Sequence, residues 1–444
     1  MKRLEKAKMM HRSNAPIWEY FEDRFHTHPN KYALLDQHSE ERSKTIFNES
    51  LQSVSGGRKR AIYIHVPYCK DYCTYCYFLK KIPKGQELEL FVIAVKNHIY
   101  NISKSIWARE KEFDAIYFGG GTPTTLSRNH LKDIIETIKR NLPIASDCEI
   151  STECRIGQVS LKYLEGLTQI GFNRISIGIQ SFDDRVRMAI GRHLSRDELV
   201  AKLTATKKLK FKSVCADLLY PLPNQTLEIW KNDISNFLEL GLHGCSVYRL
   251  NVKEGTDLWQ QLSNKAITLQ KSKELEYNFF TEIDRALGND EWKRLTVVNY
   301  GRKGAKEAVY LRYQNDIRYD TLGLGPGATG QINNCLYSNT RNIDEYNNSM
   351  LFNTVPCVKV WKSNDDFIKA WRWQRLSINT YISISSDLLK ASPSMERVIN
   401  DLVQINLIKT NGDELVLTEQ GRFWSRTISD IIQHTIVEDC IGMA

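Results

Sequence analysis

The chain has 444 residues, of which 42% are hydrophobic and 25% are charged, and its formal net charge is +9. This length can bury a full core and can hold more than one domain, and the composition is that of a soluble globular protein. No apolar run reaches the roughly 18 residues of a membrane-spanning helix. The basic N-terminus also lacks the apolar core of a signal peptide. We therefore expect a cytoplasmic protein that does not bind a membrane.

The ten cysteines are scattered apart from one cluster, which favours reduced thiols and a single cofactor site over a disulfide framework. The positive net charge suits an acidic substrate or a negatively charged redox partner. Nucleic acid is a weaker interpretation, because the basic residues are dispersed and no recognition motif accompanies them.

Residues 1–58 are polar and dotted with aromatic residues, and they predict an N-terminal extension. The stretch Ser53–Arg58 is typical of a flexible joint into the first strand. The extension has two interpretations. It either packs on the main domain as a surface segment, or it covers the active site.

From residue 61 to about residue 255 the sequence alternates between predicted strands and helices. The apolar, strand-like runs are Ala61–Val66, Phe113–Phe118, Cys148–Thr152, Arg174–Ile179, Val214–Leu219 and Cys245–Leu250. Six strand–helix units with short connections imply parallel strands and right-handed crossovers. The pattern predicts an α/β protein built on an open, partial (βα)6 barrel over residues 59–290.

The rest of the chain predicts two further parts. Residues 266–290 read as one longer helix, and residues 291–360 as a barrel-associated connecting region of short strands and glycine turns. Residues 361–444 predict a small α/β domain, with helices opening near Phe367 and Met395 and a strand, turn and helix over 415–424. That order resembles a winged helix, a shape that does not by itself specify DNA binding.

Three cysteines, Cys69, Cys73 and Cys76, are spaced C-x3-C-x2-C directly after the first strand, which Pro67 ends. They lie where α/β sheets and barrels place their ligands. Three thiolates suit a metal or an iron–sulfur cluster, and a four-iron cluster held by three cysteines leaves one iron open to a small molecule. Zinc completed by a distant His or Asp and three unrelated thiols remain alternatives.

A second motif, Gly119-Gly-Gly-Thr-Pro-Thr124, follows the second strand, and its glycines allow a ligand to approach the backbone closely. A phosphate loop would need a following Gly-Lys-Ser/Thr, which is missing. Glu153, Gln180 and Asp217 each end a later strand, so they are expected to converge on one site. Arg192, just beyond a helix, could pair with a carboxylate.

The cysteine run and the glycine motif resemble those of the radical S-adenosylmethionine (SAM) enzymes. In that family the three cysteines hold a [4Fe-4S] cluster and SAM binds the fourth iron. The lead-in Tyr63-x-His65-x-Pro67-x-Cys69 is similar to the subfamily of oxygen-independent coproporphyrinogen dehydrogenase and its heme-handling relatives. The resemblance runs from about residue 60 to the C-terminus and also implies the partial barrel.

The resemblance implies roles for individual residues. Cys69, Cys73 and Cys76 would hold the cluster, and Tyr63 and His65 are the candidate catalytic residues. A lone histidine on a strand is nevertheless more often a core residue. The implied contacts to SAM come from Tyr63, Tyr75, Gly120, Gly121, Thr122, Glu153, Gln180, Arg192, Asp217 and, through its backbone, Arg249. Weaker candidates for heme contact are His26, His28 and His193. The basic loop Lys80–Lys84 is read first as a solvated loop, with a contact to a propionate or to a redox partner as the alternative.

This chain departs from the motifs of two branches of the subfamily, and the departures indicate which branch it resembles. The coproporphyrinogen enzyme has a fourth cysteine where this chain has Phe78, and the heme chaperones carry a His-Asn-x-x-Tyr-Trp motif where residues 312–319 read Arg-Tyr-Gln-Asn-Asp-Ile-Arg-Tyr. The stretch Glu153-Cys-Arg155, the Gly-Pro-Gly-Ala turn and an N-terminal extension bearing a Trp are similar to the anaerobic heme-degrading branch, the anaerobilin synthases.

That branch implies a radical SAM methyltransferase that acts on heme. It would open the porphyrin to a linear tetrapyrrole and release iron without oxygen. Its electron donor would be a flavodoxin or an NADPH-dependent reductase. Coproporphyrinogen III dehydrogenase, a heme chaperone and a zinc- or nucleic-acid-binding protein remain the alternatives.

Overall fold

The computed structural model describes residues 2–22, 39–269, 272–305, 308–314, 316, 318–351, 356–362, 381–383 and 394–442. The predicted helix near Phe367 and the candidate histidines His26 and His28 lie outside these residues.

A twelve-stranded sheet forms the centre of the molecule. Its strands are β1 Arg60–Val66, β2 Phe113–Gly120, β3 Ile144–Cys154, β4 Arg174–Gln180, β5 Ser213–Tyr220, β6 Gly244–Arg249, β7 Trp292–Arg294, β8 Asn299–Arg302, β9 Asp320–Leu324, β10 Thr329–Ile332, β11 Cys335–Asn339 and β12 Cys357–Lys362. Strands β1 to β6 are consecutive parallel neighbours. All six predicted strands, and the parallel α/β class, are confirmed.

The sheet continues on both sides of these six strands. β9 pairs parallel with β1, so that Arg60 lies opposite Asp320, and β8 pairs antiparallel with β6. The short strands predicted after residue 290 are therefore confirmed, and they extend the sheet at both edges.

Helices alternate with the strands along the barrel, as predicted, and further helices precede and follow the barrel. They are α1 Lys2–Arg12, α2 Glu40–Leu51, α3 Glu87–Ile102, α4 Ile106–Glu110, α5 Arg128–Asn141, α6 Leu161–Gln169, α7 Asp184–Ala189, α8 Arg196–Lys207, α9 Leu227–Leu240, α10 Asp257–Ser263, α11 Lys273–Ala286, α12 Val309–Tyr313 and α13 Ile343–Leu351. The α5 stripe of Leu131, Ile134, Ile135 and Ile138 is buried, as predicted from its spacing. Ser160 caps α6 by accepting a hydrogen bond from the Tyr163 amide.

The single helix predicted over residues 266–290 is wrong in its bounds. α11 begins only at Lys273, because Ser272 caps it by accepting from the Leu275 amide, and it ends at Ala286. A separate short helix, α10, precedes it and ends at Ser263.

The described C-terminal part has three antiparallel strands, β13 Tyr381–Ser383, β14 Ile408–Asn411 and β15 Glu414–Leu417, and three helices, α14 Met395–Gln404, α15 Glu419–Phe423 and α16 Ser425–Gly442. This is the predicted small α/β unit. Among the described residues, no helix has the length and apolar character needed to cross a membrane.

The N-terminal segment packs on these C-terminal helices. The Trp424 indole donates to the carbonyl of Ile17 (2.8 Å), and the Lys8 ammonium pairs with Asp401 (2.8 Å). Arg3 pairs with Asp430 (2.6 Å). These contacts favour the first interpretation of the extension, packing on the main body of the protein, which stays a prediction for residues 1–58 as a whole.

The glycine turn after β9 packs directly on β1. Gly325 has φ +95°, and a Cβ at this position would lie 2.3 Å from the carbonyl oxygen of His65. Because β1 leads into the cysteine run, this contact fixes the start of the site.

Replacing Gly325 by Ala should therefore destabilise the protein strongly. Gly412 is a matched control, because its φ is also positive (+57°) but a Cβ there would meet nothing within 4 Å. Gly412→Ala should cost about 1–2 kcal/mol of unfolding free energy, from backbone strain alone. Gly325→Ala should cost about 3 kcal/mol or more, because the clash adds to that strain. Thermal or denaturant unfolding of both variants measures the difference, and equal losses would contradict this account.

Candidate active site

One cavity of about 410 Å³ opens at the carboxyl ends of the parallel strands. It brings together most of the side chains and glycines predicted for the site. Those that line it are Cys69, Cys73, Tyr75, Cys76, Gly120, Gly121, Thr122, Glu153, Gln180, Arg192, Asp217 and Arg249.

The three cysteines lie on a loop that is closed at its base. The Cys69 amide donates to the carbonyl of Lys81 (3.0 Å), and the Lys81 amide donates to the carbonyl of Pro67 (2.7 Å). Cys69 is buried, whereas Cys73 and Cys76 are half-buried. The loop therefore presents three free thiols to one cavity.

Within the described ranges, no three His, Cys, Asp or Glu side chains converge on a point where they could hold a single metal ion. That finding concerns a mononuclear site. A four-iron cluster makes a different demand, because each cysteine binds an iron of its own.

The glycine segment supports the cysteine loop. The Gly121 amide donates to Val66 (2.8 Å), and the Thr122 amide donates to Tyr68 (2.8 Å). A Cβ on Gly121 would lie 2.7 Å from the Tyr68 oxygen and 3.0 Å from the Cys69 sulfur. These glycines are therefore needed for the loop to pack, in addition to any ligand that they admit.

Burial raises the pKa of the Cys69 thiol to about 11, while the Thr122 hydroxyl, 3.4 Å from its sulfur, acts in the opposite direction. A thiol in this environment is protonated near neutral pH unless a metal binds it, and metal coordination removes the proton. The donor set therefore fits an iron–sulfur cluster.

Two arginines surround Cys73. Nη1 of Arg155 lies 3.7 Å from its sulfur, and Nη2 of Arg192 lies 3.6 Å from it. Arg155 also pairs with the Asp71 carboxylate and donates to the carbonyl of Gly191 (2.5 Å). Two cations beside one sulfur suit the negative charge that a bound cluster would bring.

One wall of the cavity carries two half-buried carboxylates, Glu153 and Asp217. The Tyr117 hydroxyl donates to Glu153 (2.9 Å), and the Ser176 hydroxyl donates to Asp217 (3.0 Å). Burial, followed by the nearby charge of Asp217, raises the pKa of Glu153 to about 7. Burial also raises the pKa of Asp217. A cationic group of a ligand would stabilise both carboxylates in their charged form.

Arg192 provides the complementary donor. Its Nη1 donates to the carbonyl of Gly178 (2.5 Å), and its Nε is buried without a hydrogen-bond partner among the residues that the structure describes. A buried donor of this kind is stabilised when a ligand supplies an acceptor. Carboxylates on one wall and a guanidinium on another therefore fit a zwitterionic ligand such as SAM.

The local structure around Gln180 and Arg249 sets how each of these predicted contact residues meets the cavity. Gln180 ends β4 with a positive φ of 73° and is buried, which turns its side chain toward the cavity that it lines. The guanidinium of Arg249 is held by Glu276, with both nitrogen–oxygen distances at 2.7 Å. Arg249 therefore lines the cavity with its side chain already paired, in keeping with the backbone role expected for it.

The two candidate catalytic residues lie behind the cavity wall and do not line it. Their rings pack against the glycine segment, where a Cβ on Gly119 would lie 3.0 Å from Tyr63 and one on Gly120 would lie 2.9 Å from His65. The Tyr63 hydroxyl and the Nδ1 of His65 are 2.9 Å apart. Burial lowers the pKa of His65 to about 4, so its ring is neutral at physiological pH.

Several cavity residues were missed by the sequence predictions. They are Tyr117, Arg155, Ser176, Ser246 and Tyr248. All but Arg155 occupy alternate positions on predicted strands, so the period-two rule could have found them. Arg155 follows a strand end, and the Glu153-Cys-Arg155 stretch marks it as part of a resemblance but gives it no role.

The chain is similar to several known proteins. A model of the radical SAM superfamily matches residues 63–236. An anaerobilin synthase from Escherichia coli O157:H7 is 27% identical over 402 residues, which is 90% of this chain and 89% of the relative. A heme chaperone HemW from Synechocystis is 30% identical over 291 residues, which is 64% of this chain and 69% of the relative.

The fold has a solved counterpart. The structure of coproporphyrinogen III oxidase (HemN) from Escherichia coli superposes with a TM-score of 0.78 at 20% sequence identity, and the match covers 92% of this chain and 97% of that one. It confirms the predicted barrel architecture. The chain therefore belongs to the radical SAM superfamily of enzymes, which use a [4Fe-4S] cluster and SAM, and within it to the heme-related, coproporphyrinogen oxidase-like group.

Proposed function

We propose that this protein opens the porphyrin ring of heme without oxygen by methyl transfer, giving a linear tetrapyrrole and releasing iron. The observation that carries the proposal is the likeness to an anaerobilin synthase over 90% of the chain. That likeness includes more than the barrel, since the radical SAM model ends at residue 236.

Two features favour ring opening over the other activities of the group. Phe78 lines the cavity where the coproporphyrinogen enzyme has a fourth cysteine. The region of the chaperone motif instead holds Tyr313 and Tyr319, which stack at 4.2 Å, and an Arg318–Asp316 pair at 2.8 Å. A heme chaperone remains the second candidate, because a chaperone relative is 30% identical.

In this proposal Cys69, Cys73 and Cys76 hold the cluster, and the carboxylate wall and Arg192 orient SAM. Electrons come from a flavodoxin or an NADPH-dependent reductase, and the reduced cluster with SAM supplies the radical chemistry. Tyr63 and His65 act as positioning residues, because their rings set the glycine segment against the cysteine loop. The buried wall excludes water from the reacting atoms.

The deciding experiment is an anaerobic incubation of the iron- and sulfide-reconstituted protein with SAM, a strong reductant and heme. We expect the Soret band to disappear and a methylated linear tetrapyrrole to be found by mass spectrometry. An intact Soret band with intact SAM would indicate a chaperone. SAM cleavage without loss of heme would mean a radical enzyme with another substrate.

Replacing any of the three cysteines by Ala should abolish both cluster and turnover. A four-iron cluster needs all three protein ligands here, so the iron and sulfide content should fall to background while the far-ultraviolet circular dichroism is kept. Cys335→Ala is the control, because this buried cysteine lies outside the cavity. A cluster retained at full occupancy in the Cys73→Ala protein would refute the assignment.

Replacing Arg155 by Gln should lower the reduction potential of the cluster. Its guanidinium lies against the Cys73 sulfur, and a cation or hydrogen bond there stabilises the more negative, reduced cluster. Lys70→Gln removes a charge from the same loop, but Lys70 donates to the carbonyl of Gln158 (3.0 Å) instead of a sulfur. Potentiometric titration followed by electron paramagnetic resonance should show a downward shift for Arg155→Gln and a smaller one for Lys70→Gln. Equal shifts would show that only overall charge matters.

A further inference from the structure

Two aromatic residues directly after the last cluster cysteine form an exposed surface at the cavity. Tyr77 and Phe78 are 50% and 56% exposed, and their rings stack with a centroid distance of 4.9 Å and an interplanar angle of 20°. Both line the same cavity as the cysteines. We call this pair the aromatic ledge.

The ledge is unusual because both of its rings are exposed and lie nearly parallel to each other. Single exposed apolar residues are common on protein surfaces, but adjacent large ones at a cavity mark a binding surface. Each ring covers one face of the other, so the stack offers a planar face on its outer side, and such a face favours offset stacking with another aromatic system. The ledge therefore suits a planar, apolar ligand.

Two lysines beside the ledge add positive charge. The Lys253 ammonium lies 5.8 Å from the centre of the Tyr77 ring. Lys80 lines the cavity, where its ammonium donates to the carbonyl of Cys76. A ligand with a flat aromatic face and carboxylates at its edge matches this combination, and a porphyrin with propionates has both features.

The inner cavity is chemically different from the ledge. Its walls carry the half-buried Glu153 and Asp217 carboxylates and the buried Arg192 guanidinium. A large apolar macrocycle could not displace water from those charges without a desolvation cost. The small zwitterionic cofactor fits the inner part, which leaves the mouth for the substrate.

An aromatic residue beside a lysine is not by itself a binding site. Tyr100 is 53% exposed and lies 4.0 Å from the Lys104 ammonium, but neither residue lines the cavity. Tyr72 is also exposed, but its hydroxyl accepts a hydrogen bond from the Ile82 amide (3.1 Å) and so closes the loop. The ledge differs in that it is a stacked pair that continues the cavity wall.

We propose that the ledge binds one face of the heme macrocycle and that Lys80 and Lys253 bind its propionates. The identity of the ligand rests on the proposed function. The geometry of the ledge, its stacking and its flanking charges are independent of that function.

The first test measures hemin affinity by anaerobic absorbance titration of the cluster-loaded protein without reductant, so that no turnover occurs. The double variant Tyr77→Ala/Phe78→Ala should bind hemin at least about tenfold more weakly. The single variant Phe78→Tyr, which keeps a ring at this position, should retain most of the native affinity for hemin. Tyr100→Ala is the matched control and should bind as the native protein does. Iron content per chain, measured in every variant, identifies any loss that comes from a damaged cluster.

The second test addresses the lysines with hemin and its dimethyl ester. The native protein should bind hemin more tightly than the ester, and Lys253→Gln should reduce that preference. Lys104→Gln should leave the preference unchanged.

The outcomes separate the two proposals. If the native protein binds hemin through the ledge but never degrades it, the proposed function fails and the ledge stands. If the double variant binds hemin as tightly as the native protein, or if the native protein does not bind hemin, the ledge proposal is overturned.

Discussion

The site depends on backbone segments that approach one another more closely than side chains would allow. Gly121 lies against the carbonyl of Tyr68 and the sulfur of Cys69, and Gly325 lies against the carbonyl of His65. Because these contacts come from β2 and from the turn after β9, they hold the end of β1 from both sides. The cysteine loop starts from that clamped strand end, so the base of the loop, at Cys69, has a fixed position. Preorganisation of this kind lowers the entropy cost of binding.

The charges that line the cavity form a second constraint. The half-buried carboxylates of Glu153 and Asp217 and the guanidiniums of Arg155 and Arg192 have limited access to water, and each charge is costly there unless it is compensated. The carboxylates respond with raised pKa values, because burial is the largest influence on both. Perturbed groups gathered at the open ends of parallel strands are typical of a functional site. Separated charges of both signs in one cavity therefore match a ligand that itself carries both signs.

Much of this arrangement could be predicted from the sequence, because the information was local. The apolar runs gave the six strands, the cysteine spacing gave the thiol cluster, and the polar residues at strand ends gave Glu153 and Asp217. Long-range pairings carry no such signal. The parallel pairing of Asp320 with Arg60 joins residues far apart in the chain. Likewise, Nη1 of Arg155 lies 3.7 Å from the sulfur of Cys73, although the two residues are 82 positions apart in the chain. The start of α11 was missed for a different reason, since a capping serine, Ser272, overrides an apolar pattern that extends beyond it.

The position of His65 shows why a motif residue need not act on the substrate. Its ring is buried behind Gly120, its pKa is lowered to about 4, and its Nδ1 is 2.9 Å from the Tyr63 hydroxyl. A neutral imidazole in that position can neither deliver a proton to the cavity nor bind a ligand there without moving the glycine segment. It can fix the spacing between β1 and β2, however, because its ring fills the space that the missing glycine side chain leaves. The same reasoning applies to Tyr63 behind Gly119. These two residues thus shape the cavity wall from behind the glycine segment.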